Sequence, residues 1–212
     1  WVWFRILMNS IYDFIITPKN SRYNNEKKIG DKTLIVNTSI EDHKLVSKEA
    51  IIVSVPLAFK TTLKVGDEIM VHHNIFRRWY DVRGASRNSG QYFKEELYFC
   101  KPDQLYLYKK DNNWLSIGQR CFIKPIKNNN DLTLEKEQKH IGILKIGNSS
   151  LEALGINPGD LVGFKAGREW EFIVDGQRLY CMKSNDIILK YEYEGNEVEY
   201  NPSWACSSWG TY

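Results

Sequence analysis

Long apolar runs are missing from this sequence: no stretch of about 18 apolar residues occurs, so no membrane-spanning helix is indicated. Helix signals are scarce. No window of about 11 residues holds a sustained i, i+3, i+4, i+7 apolar pattern with caps. The best candidate is a single turn over residues 149–154, ending at Gly155. Cysteine is sparse and scattered. Cys100, Cys121, Cys181 and Cys206 form no CxxC pair and have no histidine at ligand spacing, and the first three sit in apolar, strand-like runs where a free thiol acts as a small hydrophobe. That usage fits a reduced, cytoplasmic protein. The net charge of +3 is too small to argue for nucleic acid. Catalytic signatures are lacking as well: there is no nucleophile elbow, P-loop, dinucleotide glycine motif or metalloprotease helix, and the carboxylates are dispersed. We therefore expect no enzymatic activity and no cofactor.

Strand signals are abundant. Residues 12–17, 50–55, 68–72, 104–109, 120–126, 141–146, 161–164, 169–174, 177–182 and 186–193 are short runs rich in β-branched and aromatic residues, separated by Gly, Asn, Asp or Pro. The chain reads as all-β. Asp175-Gly176, between two alternating runs, predicts a two-residue hairpin.

An internal repeat organises these runs. The first half has strands at 12–19 and 50–55, the turn Val65-Gly66-Asp67 with the strand after it, and Lys101-Pro102-Asp103-Gln104 before a further strand. The second half repeats that order with 120–126, 141–147, Pro158-Gly159-Asp160 and its strand, and Lys183-Ser184-Asn185-Asp186. A Gly-Asp step of this kind puts glycine where φ is positive and lets aspartate bond its own backbone. The implied division is an N-terminal extension (1–10), a first domain (11–111) with an inserted hairpin (74–99), a second domain (112–193) and a tail (194–212). The extension has two readings: Met8 is the true start, or the apolar residues before it form a short edge strand. The tail, with Tyr200, Trp204 and Trp209, either covers a barrel opening or stays disordered.

The second half resembles the GroES-type co-chaperonin family. The matching residues are Gly159, Asp160, Val162, Phe164, Gly167, Asp175, Gly176, Leu179, Met182, Asp186 and Ile187. Residues 141–147 are similar to the family's G-x-V-x-x-V-G strand and 120–125 to its opening strand. The first half resembles it over 13–19, 50–55 and 65–71. The resemblance implies two tandem GroES-like small β-barrels in one chain, an arrangement known from chloroplasts; co-chaperonin-like proteins are also encoded by bacteriophages, which would place this one in the cytoplasm of an infected bacterial host. It also implies homo-oligomers joined by strand edges, and a chaperonin ring (GroEL-like) as partner, capped or modulated during protein folding through a mobile loop between the first two strands. Here that loop is residues 20–49, and Leu34, Ile35 and Val36 match the family's apolar chaperonin-binding tripeptide. The departures are Lys32-Thr33 in place of a Gly-Gly pair and Asn37 after the tripeptide. The competing reading is an ordinary extra strand over 33–38. The second-half loop, 127–139, has only Leu132 and Leu134 as apolar residues and is not expected to bind a chaperonin.

Two further clusters stand out. His72-His73 suggests a metal site, but neighbours on a strand face opposite ways, so one inward and one outward histidine is expected and no metal. In 75–99, Arg77, Arg78, Arg83 and Arg87 alternate with Phe76, Trp79, Tyr80, Tyr92 and Phe93, diluted by Asp81, Glu95 and Glu96. That mixture could stack on single-stranded nucleic acid. The reading preferred here is an inserted hairpin packed on the barrel or on another copy, with Ser86, Asn88, Ser89 and Gly90 at its exposed tip. The rival to a co-chaperonin is a structural or virion-associated assembly protein using the same barrels.

Overall fold

The computed structural model describes residues 9–23, 26–29, 32–35, 45–128, 135–192 and 195–206, with backbone alone for 26–29 and 33–35. The chain divides into two compact units, Trp1–Asn113 and Trp114–Tyr212. Among the described residues the secondary structure is predominantly β, with seventeen strands and two helices of a single turn each. No helix there is long and apolar enough to cross a membrane.

The first unit holds β1 (Phe14–Pro18), β2 (Glu26–Ile29), β3 (Lys32–Ile35), β4 (Glu49–Ser54), β5 (Glu68–Val71), β6 (Arg78–Tyr80), β7 (Ser86–Asn88), β8 (Tyr92–Lys94), β9 (Leu97–Cys100) and β10 (Leu105–Lys110). Its main sheet runs β11-β10-β5-β4-β1-β9-β8, where β11 (Asn113–Ser116) lies across the boundary. The second unit holds β12 (Arg120–Lys127), β13 (Glu137–Ile146), α1 (Ser149–Glu152), β14 (Leu161–Phe164), β15 (Trp170–Val174), β16 (Gln177–Lys183), β17 (Ile187–Lys190) and α2 (Ser203–Cys206), in a sheet ordered β15-β16-β12-β13-β14-β17.

Read from the other edge, the first sheet is β8-β9-β1-β4-β5-β10, the same connectivity as the second. The match extends to register. In β1 a bulge falls between Ile15 and Ile16, and Ile16 pairs Ile52; in β12 it falls between Phe122 and Ile123, and Ile123 pairs Leu144. Both sheets are open in hydrogen bonding among the described residues, each order ending in two edge strands.

Residue choice explains the strands. β1 is Phe-Ile-Ile-Thr-Pro, with β-branched residues filling a buried surface and proline at the last position, where a ladder donor is dispensable. β4 alternates buried and more exposed side chains, as a strand facing a core on one side should. β12 is different: every residue from Cys121 to Ile126 is buried, so both faces are covered. The second core gathers Cys121, Ile123, Leu144, Leu151, Val162, Phe164 and Met182.

The two Gly-Asp turns have one geometry. Gly66 and Gly159 have φ of +95° and +101°. Asp67 accepts the N–H of Lys64 at 2.8 Å and Asp160 that of Asn157 at 2.7 Å. Each glycine N–H donates to the second strand of its unit, on Ile52 and Leu144. The Asp175-Gly176 hairpin forms as its sequence predicts, with both residues at positive φ and Val174 paired to Gln177.

Residues 74–99, read from the sequence as one inserted hairpin, form two. β8 and β9, joined by Glu95 and Glu96 at φ of 47° and 61°, occupy the place that β15 and β16 hold in the second unit. Only β6 and β7 are extra, a separate two-stranded sheet. Its turn is Asp81 to Ala85, where the Asp81 carboxylate accepts the N–H groups of Arg83 and Ala85 at 2.9 Å and pairs with Arg87. The exposed tip therefore lies there and not at Ser86–Gly90, because the aspartate turn closes the chain earlier. Ser86 and Asn88 belong to β7, and the Ser89 hydroxyl donates to the Ile75 carbonyl at the hairpin's mouth.

The histidine expectation is also corrected. β5 ends at Val71, and His72 instead caps a 3₁₀ turn, His73–Ile75, accepting the Asn74 N–H on Nδ1. Strand alternation stops before the pair, so the two rings stack, 4.4 Å between centroids.

Candidate functional site

The segment between β1 and β4 in the first unit is where the sequence places a binding site. The antiparallel pairing that joins these strands continues past the sheet: Lys19 N–H donates to Glu49 O, Ser47 N–H to Arg22 O, and Tyr23 bridges Val46. Tyr23 and Val46 are buried. Beyond this root the described backbone is the two-stranded sheet β2–β3, an excursion from the main sheet. Leu34 and Ile35 lie on β3, opposite Lys27 and Glu26. Val36, Leu132 and Leu134 fall outside the described residues. The backbone of 26–29 is thus paired antiparallel with that of 32–35.

The root is tied to the β6–β7 hairpin. The Arg22 guanidinium donates from Nε to the Phe76 carbonyl at 2.5 Å, to the Asn88 side-chain oxygen at 2.7 Å and to the Arg77 carbonyl at 3.4 Å. It also lies over the Tyr98 ring, 5.2 Å from its centroid. The Tyr23 hydroxyl accepts the Arg78 N–H at 2.6 Å, and burial pushes that phenol up from its usual range. Tyr98 is fully buried, packs edge-on against Phe76, and its hydroxyl donates to Glu96 at 3.1 Å; burial first, then the neighbouring carboxylate, raise its pKa although Arg22 opposes them.

The second unit places a comparable group at the same register. Tyr180 pairs Ile123 as Tyr98 pairs Ile16. Arg178 lies over its ring at 4.8 Å and pairs with both Glu137 and Glu171. Burial works against the Arg178 charge, but bonds to those two carboxylates outweigh it and hold the pKa above the ordinary value. The cluster borders a cleft of about 370 Å³ with Lys136, Lys139, Tyr200 and Trp204 on its walls. The tail builds one side of it. Tyr200 N–H donates to Pro125 O, and the Asn201 side-chain oxygen Oδ1 accepts both the Lys124 ammonium at 2.7 Å and the Arg178 N–H at 2.9 Å. The tail is thereby bonded to both β12 and β16 through residues 198–201. Lys124 is 2% exposed, and a lysine so buried needs such a partner.

Sequence reasoning did not foresee this cleft. Arg178 and Tyr180 are legible as neighbours on one strand face, but Glu137 lies 41 residues before Arg178. Among the described residues no group of three or more His, Cys, Asp or Glu side chains could hold a metal ion. Cys100, Cys121 and Cys181 are buried free thiols, and burial pushes Cys121 up to about 12, far from a reactive thiolate. The chain matches no family model and no curated protein.

Proposed function

We propose that this is a co-chaperonin-like protein of two GroES-like barrels that binds, and caps or modulates, a chaperonin ring through the segment of residues 20–49. One observation carries the reading. Two sheets share one connectivity, and among the described residues the first carries, between its first and second strands, the extra pair β2–β3 with Leu34 and Ile35 on it. A short extended segment offering a few apolar side chains makes a weak contact, and several copies acting together restore avidity. The protein itself performs no chemistry in this reading; it acts in the cytoplasm, and the ring's ATPase belongs to the partner.

The test is a pull-down with a chaperonin and nucleotide, comparing wild type with Ile35→Asp. Capture of wild type and loss with Ile35→Asp is the expected result. Absent capture, or capture indifferent to Ile35→Asp, overturns the proposal.

A second reading, an assembly protein without a chaperonin, draws on the edge strands. Ile188 and Leu189 on β17 and Trp170 on β15 are each about half exposed on sheet edges, as a surface for further strand pairing would be. Solution mass without any chaperonin contact would favour it if large assemblies form.

A further inference from the structure

We propose that the β6–β7 hairpin is a brace for the root of the β2–β3 excursion, with Arg22 and Tyr23 as the positioning residues that join the two. The proposal rests on the chaperonin reading above and assigns a role to the insertion that reading leaves idle.

Three observations carry it. The first is the density of contacts at the root. Two consecutive residues at the exit from the sheet both bond to the β6–β7 segment: Arg22 to Phe76, Arg77 and Asn88, and Tyr23 to the Arg78 N–H. A guanidinium is a planar fork, so several oxygens at fixed positions select one orientation of it, and the charge strengthens each bond. The second is that Ser47, on the returning strand, donates to the Arg22 carbonyl at 3.1 Å. Holding Arg22 therefore holds both legs of the excursion. The third is co-occurrence. The second unit has no counterpart of β6–β7 among its described residues, and there the tail bonds the Arg178 N–H through the Asn201 side chain. Brace and excursion are found in the same unit.

The alternative use of the hairpin, gripping nucleic acid, fits less well. Arg87 is engaged by Asp81, and Asp81 is itself committed to the turn. A root ordered before the partner arrives removes part of the ordering cost of binding. The brace thus acts on affinity without touching the partner.

The test uses the full chain carrying Arg22→Lys or Tyr23→Phe, with two readouts. In the free protein, amide exchange at Ser47 and Arg78 should accelerate about tenfold or more, while Ile52 and Leu144, inside the sheets, stay within about twofold and report an intact fold. Chaperonin affinity with nucleotide should fall about tenfold. Unchanged exchange at Ser47 and Arg78 overturns the brace, and so does faster exchange with unaltered affinity. A wild type that loses binding on Ile35→Asp but is indifferent to Arg22→Lys keeps the chaperonin reading and removes the brace. A wild type that never binds removes both. Binding of a single-stranded oligonucleotide that is lost on Arg77→Ala and Arg78→Ala, with no effect of Arg22→Lys on exchange, would reassign the hairpin to nucleic acid.

Discussion

Tyr98 and Tyr180 hold the same position in their two sheets, each paired with the isoleucine that follows the bulge of the first strand, and each lies beneath an arginine. The arginines come from different places. Arg22 reaches Tyr98 from the end of the first-strand ladder, whereas Arg178 lies two residues before Tyr180 on the same strand. The two units thus keep a cation over a tyrosine, fully buried in the first and partly buried in the second, while changing the residue that supplies it.

Gly66→Ala and Gly159→Ala should each destabilise by about 1–2 kcal/mol, because an alanine Cβ is strained at positive φ even where the surrounding space is open. Urea midpoints of the two variants check this. A cost below experimental error at either site would show that its turn relaxes freely.

Gly142→Ala acts by contact. An added Cβ would lie 2.5 Å from the Lys124 carbonyl oxygen and 2.6 Å from Ile123 Cγ2, and backbone there cannot simply swing away. Overpacking of this kind costs about 1–3 kcal/mol, read as a lowered melting temperature. The neighbouring β12–β13 pairing should be the first to lose amide protection.

Glu95→Asn should stabilise the chain by about 0.5–1 kcal/mol, since asparagine tolerates the left-handed region better than glutamate does. Glu96 is a poorer target, because its carboxylate accepts the Tyr98 hydroxyl. Denaturant titration of Glu95→Asn against wild type measures the gain.

Acid should unfold the chain partly through Asp160 and Glu68. Hydrogen bonds from Lys190 and from the Asn157 N–H hold Asp160 below the usual carboxylate range, and a bond from Lys19 does the same for Glu68. Their folded pKa values are depressed, so the stability they contribute is present above the ordinary value and is lost as pH falls through the folded one. Lys19 runs the other way: its raised pKa means that its contribution is full below the ordinary lysine value and is lost as pH rises through the folded one. With Lys190→Met, the fall in urea midpoint on acidification should be shallower than in wild type. An identical fall would show that the Lys190–Asp160 pair carries none of it.

Much of the strand pattern was readable because each element there carries its own local signal. β14 is Leu-Val-Gly-Phe between turn residues, and Asp175-Gly176 names its turn outright. β8 and β9 were hidden because Glu95-Glu96 is not a turn sequence, so their hairpin merged with β6–β7 into one apparent insertion. His72 misled because nothing local announces that β5 ends at Val71. The proposed binding segment was legible as a long polar interval with one apolar run, but the contacts at its root were not. Arg22 and Asn88 are 66 residues apart, and only the fold brings them together.

Among the described residues the β2–β3 excursion belongs to the first of two like-connected sheets, and in the proposed reading this has a consequence for valence. If that pair is the proposed contact, a closed assembly built edge to edge from this chain would carry one such contact per chain, so the spacing between contacts would be two modules wide. A partner with one site on each of its subunits would then be engaged at alternate sites, leaving vacancies that a second kind of ligand could fill.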